Sequence, residues 1–204
     1  STCLFIISSI TSSSSVSSIY ALKIFSIGIL LLITFNIASF ITGASSGIGL
    51  STAEAFVKEG ANVIICGRNQ VKLEEAKKQI KQNTGTEVGA YACDTSKFDQ
   101  VEKTVNQIVK EYKRIDILIN NAGKAQAGGV VDAKPEDWKS MIDVKIYSLI
   151  NTCKLIAPIM KKNKWGRIVN MSSIGGIYPN PKLTISHGLS AAINNLTRSL
   201  SLDL

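Results

Sequence analysis

From residue 36 onward, short apolar runs rich in β-branched residues alternate with longer stretches in which apolar positions return every three or four residues. NIASFI (36 to 41), NVIIC (62 to 66), EVGAYAC (87 to 93), IDILIN (115 to 120) and RIVNMS (167 to 172) read as strands. Compact apolar runs of this kind suit strands covered on both faces of a parallel sheet. Between them the period changes. Leu73, Ala76 and Ile80 fall on one helical face, with lysines and glutamates opposite. Val101, Val105, Ile108, Val109 and Tyr112 recur at i, i+4, i+7, i+8 and i+11, again a helical stripe. The run after TGASSGIG (42 to 49) is amphipathic and stops at Gly60, a residue suited to the left-handed position that ends a helix. Pro135 suits the first turn of a helix running to about Lys162, bent by Pro158, and a last helix is predicted over roughly 186 to 204.

Strands and helices alternating at this spacing predict a doubly wound α/β fold, a Rossmann-like parallel sheet with right-handed crossovers. The 204 residues are enough for one sizeable core and too few for two, and residues 36 to 204 form the predicted domain. Residues 1 to 35 differ in composition: they are Ser-rich, then apolar, and carry one charge, Lys23. The apolar run from Ile24 to Phe35 is shorter than the about 20 residues that span a bilayer, and counting from Ile19 brings it near the lower limit. Three readings stay open: an anchor touching a membrane through residues 19 to 35, a cleaved leader, and a segment unrelated to function. The leader reading lacks a basic region ahead of the apolar run and a small-residue cleavage site.

The formal charge of +8 comes from lysines and arginines scattered along the helical segments, without a run of five basic residues. That distribution describes a solvated surface and argues against a nucleic-acid footprint. Cys3, Cys66, Cys93 and Cys153 follow neither metal-ligand nor disulfide spacing. No metal site is expected, and reduced thiols point to an intracellular, cytoplasmic setting, membrane-associated if the first segment is an anchor.

TGASSGIG joins the first strand to the first helix. Its glycines, Gly43, Gly47 and Gly49, let the backbone turn sharply and approach a ligand closely. The helix N-terminus behind them offers free N–H groups and a positive dipole end to a diphosphate. A glycine-rich turn alone is weak evidence; its place after the first strand of a βαβ pattern strengthens it.

TGASSGIG, then NNAG (120 to 123), then GRIVNMSS (166 to 173), in this order and at these intervals, resemble the classical short-chain dehydrogenase/reductase family from about Asn36 to Leu204. The resemblance implies an oxidoreductase that moves a hydride between a nicotinamide and a small-molecule carbonyl or alcohol. It implies diphosphate contacts at Gly43, Ser45, Ser46, Gly47, Ile48 and Gly49, and an adenine contact at Asp94. Asn121, Ala122 and Gly123 match the stretch beside the ribose, where support of the sheet is as good a reading as direct contact. Cofactor type turns on the end of the second strand, where a carboxylate would accept from the ribose hydroxyls and repel a 2′-phosphate. Gly67 and Arg68 stand there instead, and a guanidinium pairs with a 2′-phosphate, so NADP(H) is favoured over NAD(H).

The same resemblance exposes a fault in the catalytic pattern. In the family a serine hydroxyl holds the substrate oxygen, a tyrosine phenol passes the proton, a lysine one helical turn later lowers the phenol's pKa, and an asparagine on another helix positions the lysine. Ser173 fits the serine. The usual spacing then puts the tyrosine and lysine at Ser186 and Ser190, and the asparagine at Lys145. A gapped alignment puts His187 in the tyrosine's place. Neighbouring side chains on a helix diverge by about 100°, so His187 is not expected to share a cleft with Ser186. Lys145, from its own helix, is the remaining candidate to enter that space. The family also continues for roughly another strand, helix and strand, so the fold is expected to be incomplete at its C-terminus, with the fifth strand an exposed edge. Three accounts follow: an impaired reductase, a non-catalytic dinucleotide-binding or scaffold protein, and a fragment of an active reductase. Pairing into a homo-oligomer through the long helices is compatible with each.

Overall fold

The computed structural model describes residues 36–204; the readings offered for residues 1 to 35 lie outside the described residues. Five strands, β1 (Ala38–Thr42), β2 (Asn62–Gly67), β3 (Gly89–Ala92), β4 (Ile117–Asn120) and β5 (Arg167–Asn170), form one sheet in the order β3-β2-β1-β4-β5. Every pairing is parallel. The helices are α1 (Gly47–Lys58), α2 (Gln70–Thr84), α3 (Phe98–Tyr112), α4 (Pro135–Ile142), α5 (Ser148–Lys162) and α6 (Thr184–Asp203). The predicted doubly wound parallel fold is therefore the one observed. Among the described residues β5 is the last strand on its side of the sheet, as expected.

Strand alternation divides the core in two. Ile41, Val63, Ile65, Ile117, Ile119 and Val169 face α1 and α2, where Leu73, Ala76 and Ile80 are buried. Phe40, Ile64, Cys66, Leu118 and Ile168 face the opposite layer, with Val101, Val105 and Ile108 of α3, Leu149, Cys153 and Ile156 of α5, and Ile193 of α6. Phe40, Ile64 and Leu118 are fully buried. Each such side chain contributes about 1.5–3 kcal/mol by leaving water, so the central strands are the stable frame from which the loops at their C-terminal ends project. The end of α1 also follows from sequence: Gly60 has φ +83, and the Ala61 N–H returns to the Phe56 carbonyl at 3.1 Å.

Most strand ends shift by one or two residues from the sequence reading, and other elements differ in ways that bear on the cleft. The third strand is confined to Gly89–Ala92, the residues in register with β2, with the Cys93 N–H making one further bond to the Gly67 carbonyl at 3.0 Å. The last helix starts earlier, at Thr184. The long helix expected from Pro135 to about Lys162 is broken, and not at Pro158, through which α5 continues. The break is a π-helical turn, Asp143–Tyr147, in which the Ser148 N–H reaches back five residues to the Asp143 carbonyl. One extra residue in a turn leaves the hydrophobic spacing on either side intact, so the pattern gives no sign of it.

A second small core, Met141, Ile185 and Leu189 with Trp138 packed against it, fastens α4 to α6. Behind it, buried polar groups tie the strand ends to the helices. Thr152 donates to Asn120 (2.7 Å), Asn120 to Asn170 (2.9 Å) and Asn170 to Thr197 (3.1 Å), linking α5, β4, β5 and α6. These contacts set the height of α6 over the C-terminal ends of the sheet, where the cleft lies.

Candidate functional site

Strand order reverses between β1 and β4, and the crevice outside the carboxyl ends of strands at such a point is where open α/β sheets bind ligands. Two cavities meet there. One, of about 220 Å³, is lined by Gly43, Ser45, Ser46, Arg68 and Asp94 among others. The other, of about 570 Å³, includes Lys145, Ser173, Ser186 and His187. Both are lined by Ala122, Gly123 and Ser148, so they are two ends of one cleft.

The glycine loop is held open by a clamp of ordinary hydrogen bonds. Thr42 Oγ1, at the end of β1, accepts the N–H groups of Asn121 and Ala122, each at 3.0 Å, and donates to the Ile119 carbonyl at 3.3 Å. The Asn121 amide donates to the carbonyls of Thr42 and Gly43, both at 3.0 Å. Asn121 is thus a brace between β4 and the loop, and it also lines the larger cavity. Gly43 has φ +64, and a Cβ there would lie 2.8 Å from Ala122 Cα; only glycine allows this approach.

The smaller cavity has the donor chemistry of an anion site. α1 begins beneath it with no acidic residue in its first turn, and Ser46 makes no capping bond, so the first-turn N–H groups are available. A Cβ on Gly47 would meet nothing within 4 Å, leaving room for a ligand against the backbone. Arg68 is exposed at the rim and has no hydrogen-bond or ion-pair partner among the described residues. These groups fit the diphosphate of a dinucleotide, with Arg68 a cation at the rim. Ile48 lines the larger cavity, whereas Gly49 is buried behind the loop. Asp94 lines the smaller cavity, with Oδ1 already accepting from Ser96 N (3.0 Å) and Oγ (2.8 Å).

Sequence reasoning missed several cavity residues. Thr95 donates to Ser148 at 3.0 Å across the floor. Cys66 and Cys93 also line this end of the cleft. The Cys66 S–H donates to the Cys93 carbonyl at 3.8 Å, and the interaction between the two neighbouring thiols holds the Cys93 thiol below the usual thiol range and pushes the Cys66 thiol up, burial adding to the latter. Their spacing in sequence gives no hint of the meeting, which depends on the register of β2 against β3.

At the other end, Ser173 ends the segment after β5 and caps a short 3₁₀ turn, Ile174–Gly176. That turn lies directly on α6: a Cβ on Gly176 would approach the Ser190 carbonyl carbon to 2.9 Å. The contact delivers Ser173 Oγ to Ser190 Oγ, to which it donates at 2.9 Å. Ser186 and Ser190 are buried and one turn apart, as the spacing required. Tyr91, Tyr112, Tyr147 and Tyr178 stay out of the cleft lining, so no described phenol stands in for the absent tyrosine.

Lys145 does enter this space. From the π turn its Nζ donates to the Ser186 carbonyl (3.3 Å), Ser186 Oγ (3.4 Å) and Ser190 Oγ (3.3 Å). Burial lowers its pKa below the usual lysine value. His187 departs from expectation, since it lines the cleft together with Ser186. The two sit in the first turn of α6, where the cleft wraps around the helix end and side chains that diverge both reach its wall. The imidazole lies against Gly175, and its Nδ1 accepts the Asn180 N–H at 2.9 Å. Among the described residues no cluster of His, Cys, Asp or Glu has metal-binding geometry, and no helix is long and apolar enough to cross a membrane.

The chain is 36% identical over 164 residues to a 3-oxoacyl-[acyl-carrier-protein] reductase of Thermotoga maritima, covering 80% of this chain and 66% of that one. Among solved structures it resembles L-sorbose reductase from Gluconobacter frateurii, complexed with NADPH and L-sorbose, with TM-score 0.80 and 28% identity over 84% of this chain and 65% of that one. It also resembles an NADPH-bound short chain oxidoreductase from Pseudomonas aeruginosa PAO1 containing an atypical catalytic center, with TM-score 0.77, 26% identity, and 82% of this chain and 65% of that one covered. The chain thus spans about two thirds of the length of these relatives. Residues 38–204 match the family model of the short chain dehydrogenases. With that match, the reversal of strand order over the glycine loop and the serine at the end of β5, the chain belongs to the short-chain dehydrogenase family.

Proposed function

We propose that this protein binds NADP(H) and acts as a weakened oxidoreductase on a small-molecule carbonyl or alcohol. The observation that carries the reading is the continuity of the cleft from Arg68 at one end to Ser173 at the other. A dinucleotide laid along it places its diphosphate over the N-terminus of α1 and an adenosine 2′-phosphate within reach of Arg68, a group free to form charge-assisted bonds. Gly43, Ser45, Ser46, Gly47 and Ile48 form the diphosphate end, Asp94 the adenine wall, and Ala122 and Gly123 the passage between the two ends. When bound, the nicotinamide supplies the hydride. Ser173 holds the substrate oxygen. The weakness follows from Ser186 at the place of the phenol, since a serine hydroxyl is a far weaker acid than a phenol and gives up a proton only when another group resupplies it.

A second reading, a dinucleotide-binding protein without turnover, is favoured by the same Ser186. Two measurements separate them. NADPH fluorescence titration of the 204-residue chain is expected to give tighter binding than NADH, with the order reversed in Arg68→Asp. Absence of binding at millimolar NADPH removes both readings. Reduction of a panel of aldehydes and ketones is then compared with the variant Ser186→Tyr, Ser190→Lys, Lys145→Asn. The triple variant is expected to be faster by about tenfold or more, and equal rates refute the claim of a weakened centre.

A further inference from the structure

Lys145 is an ammonium held by neutral groups. It donates to the Ser186 carbonyl and to the hydroxyls of Ser186 and Ser190. Among the described residues no carboxylate lies within ion-pair distance of it, while the nearby Asp143 is taken by Lys139 at 2.7 Å. A lysine kept only for packing or solubility would extend to water, because a half-buried, unpaired charge costs free energy. Here the side chain turns inward from a π turn, a distortion that itself carries a cost and that is common at functional sites.

The hydroxyls that receive it are connected. Ser190 Oγ lies at hydrogen-bond distance from both Lys145 Nζ (3.3 Å) and Ser173 Oγ (2.9 Å). In the arrangement observed Ser173 donates to Ser190, and Ser190 donates to the Ser186 carbonyl at 2.9 Å. Rotation of the two hydroxyl protons about their C–O bonds reverses the line without moving a heavy atom: Lys145 donates to Ser190, Ser190 to Ser173, and Ser173 outward into the cleft.

From this geometry we infer that Lys145 is the proton source for carbonyl reduction, delivering through Ser190 and Ser173 in place of a phenol. The inference rests on the functional reading above. The substrate carbonyl carbon gains a hydride, and its π pair moves to oxygen. The oxygen takes the Ser173 proton, Ser173 takes that of Ser190, and Ser190 takes one from the Lys145 ammonium. An O–H bond forms on the product, the Nζ–H bond of Lys145 breaks, and the resulting amine regains its proton from water. Alcohol oxidation runs the same line backwards. The two transfers between hydroxyls are between acids of similar strength, and the line as a whole runs downhill because the ammonium at its end is far more acidic than the product alcohol. Lys124 and His187 are the other titratable groups on the wall of this part of the cleft, one from the loop after β4 and one from α6.

The test reads Lys145 directly as well as turnover. Competitive acetylation of the full chain across pH, followed by peptide mass spectrometry, is expected to give Lys145 a midpoint below that of an exposed lysine such as Lys72, with or without NADPH. Reduction of 4-nitrobenzaldehyde or 9,10-phenanthrenequinone is expected to fall at least about tenfold in Ser190→Ala and in Lys145→Arg, with NADPH affinity within about twofold of the parent. Ser190→Ala removes one oxygen from a buried site and keeps the fold testable; Lys145→Arg keeps the charge but does not release its proton. The parent rate is expected to decline as pH rises through the Lys145 midpoint, and Ser190→Ala to lose that dependence. The inference is overturned by a Lys145 midpoint equal to that of Lys72, by either variant keeping the parent rate, or by NADPH binding without reduction of either probe. Failure of NADPH to bind at all removes the functional reading instead, and is told apart because acetylation is read without cofactor.

Discussion

Replacing Thr42 with valine isolates the clamp that opens the glycine loop. Valine keeps the shape of threonine at a position only 1% exposed, so packing in the sheet is unchanged. What is lost is one oxygen that accepts two N–H groups, those of Asn121 and Ala122, and donates to the Ile119 carbonyl. Each N–H left without a partner costs about 1–3 kcal/mol, and because both donors are half-buried, a total of about 3 kcal/mol is expected. Thr42→Ser keeps the oxygen and loses a methyl, which costs about 1 kcal/mol. With a urea slope of about 2 kcal/mol/M, the valine variant should unfold at a midpoint about 1.5 M lower and the serine variant at one about 0.5 M lower. Urea titration followed by tryptophan fluorescence and by circular dichroism reads both. If Thr42→Ser is as destabilised as Thr42→Val, the methyl and not the hydroxyl carries the contact, and the clamp argument is wrong.

Other outcomes can be checked the same way. Asp116, fully buried, accepts from Arg114 at 2.6 and 2.8 Å and from the Ala38 N–H at 2.9 Å, so Asp116→Ala should cost about 3 kcal/mol, and a loss within experimental error in urea titration would contradict it. Burial lowers the pKa of Lys145 in the folded chain, so between that value and the unfolded lysine value the unfolded state binds the extra proton and stability rises with pH. Lys145→Met should therefore gain about 1 kcal/mol near pH 7, and the gain should shrink as pH approaches about 10; a constant difference between the two proteins across that window would refute this. Among Cys66, Cys93 and Cys153, iodoacetamide at pH 8 should modify Cys93 first, because the neighbouring Cys66 thiol favours its thiolate while burial pushes Cys153 up to about 12. Mass spectrometry showing Cys153 modified first would refute that order.

The parallel sheet was legible because its strands are compact apolar runs and because the stripes of α2 and α3 point to a single covering face each. The glycine loop was legible because it is local: eight consecutive residues carry both the turn and the helix start. What stayed hidden depends on contacts between elements distant in sequence. The brace formed by Asn121 requires β4 to lie beside β1, and the meeting of Cys66 with Cys93 requires the register of β2 and β3. The departure at Ser186 and Ser190 and the candidacy of Lys145 as their replacement could be read from spacing, but the contacts that Lys145 makes could not. That replacement rests on one residue added to a helical turn, and hydrophobic period is blind to it because both flanks keep their stripes.

The π turn at Asp143–Tyr147 has a mechanical consequence for how this chain can change. It acts as a phase joint between α4 and α5. Upstream, Met141 turns its side chain to α6; downstream, Leu149, Cys153 and Ile156 turn theirs to the sheet. Winding the same residues as an unbroken α-helix would rotate one flank by about 100° against the other, taking one of these apolar faces out of its core. Substitutions inside the joint leave both phases alone. The segment that presents Lys145 to the cleft is thus held in its π turn by the two cores and free to vary in side chain, which makes position 145 a place where the chemistry of the cleft can be rewritten without disturbing the frame.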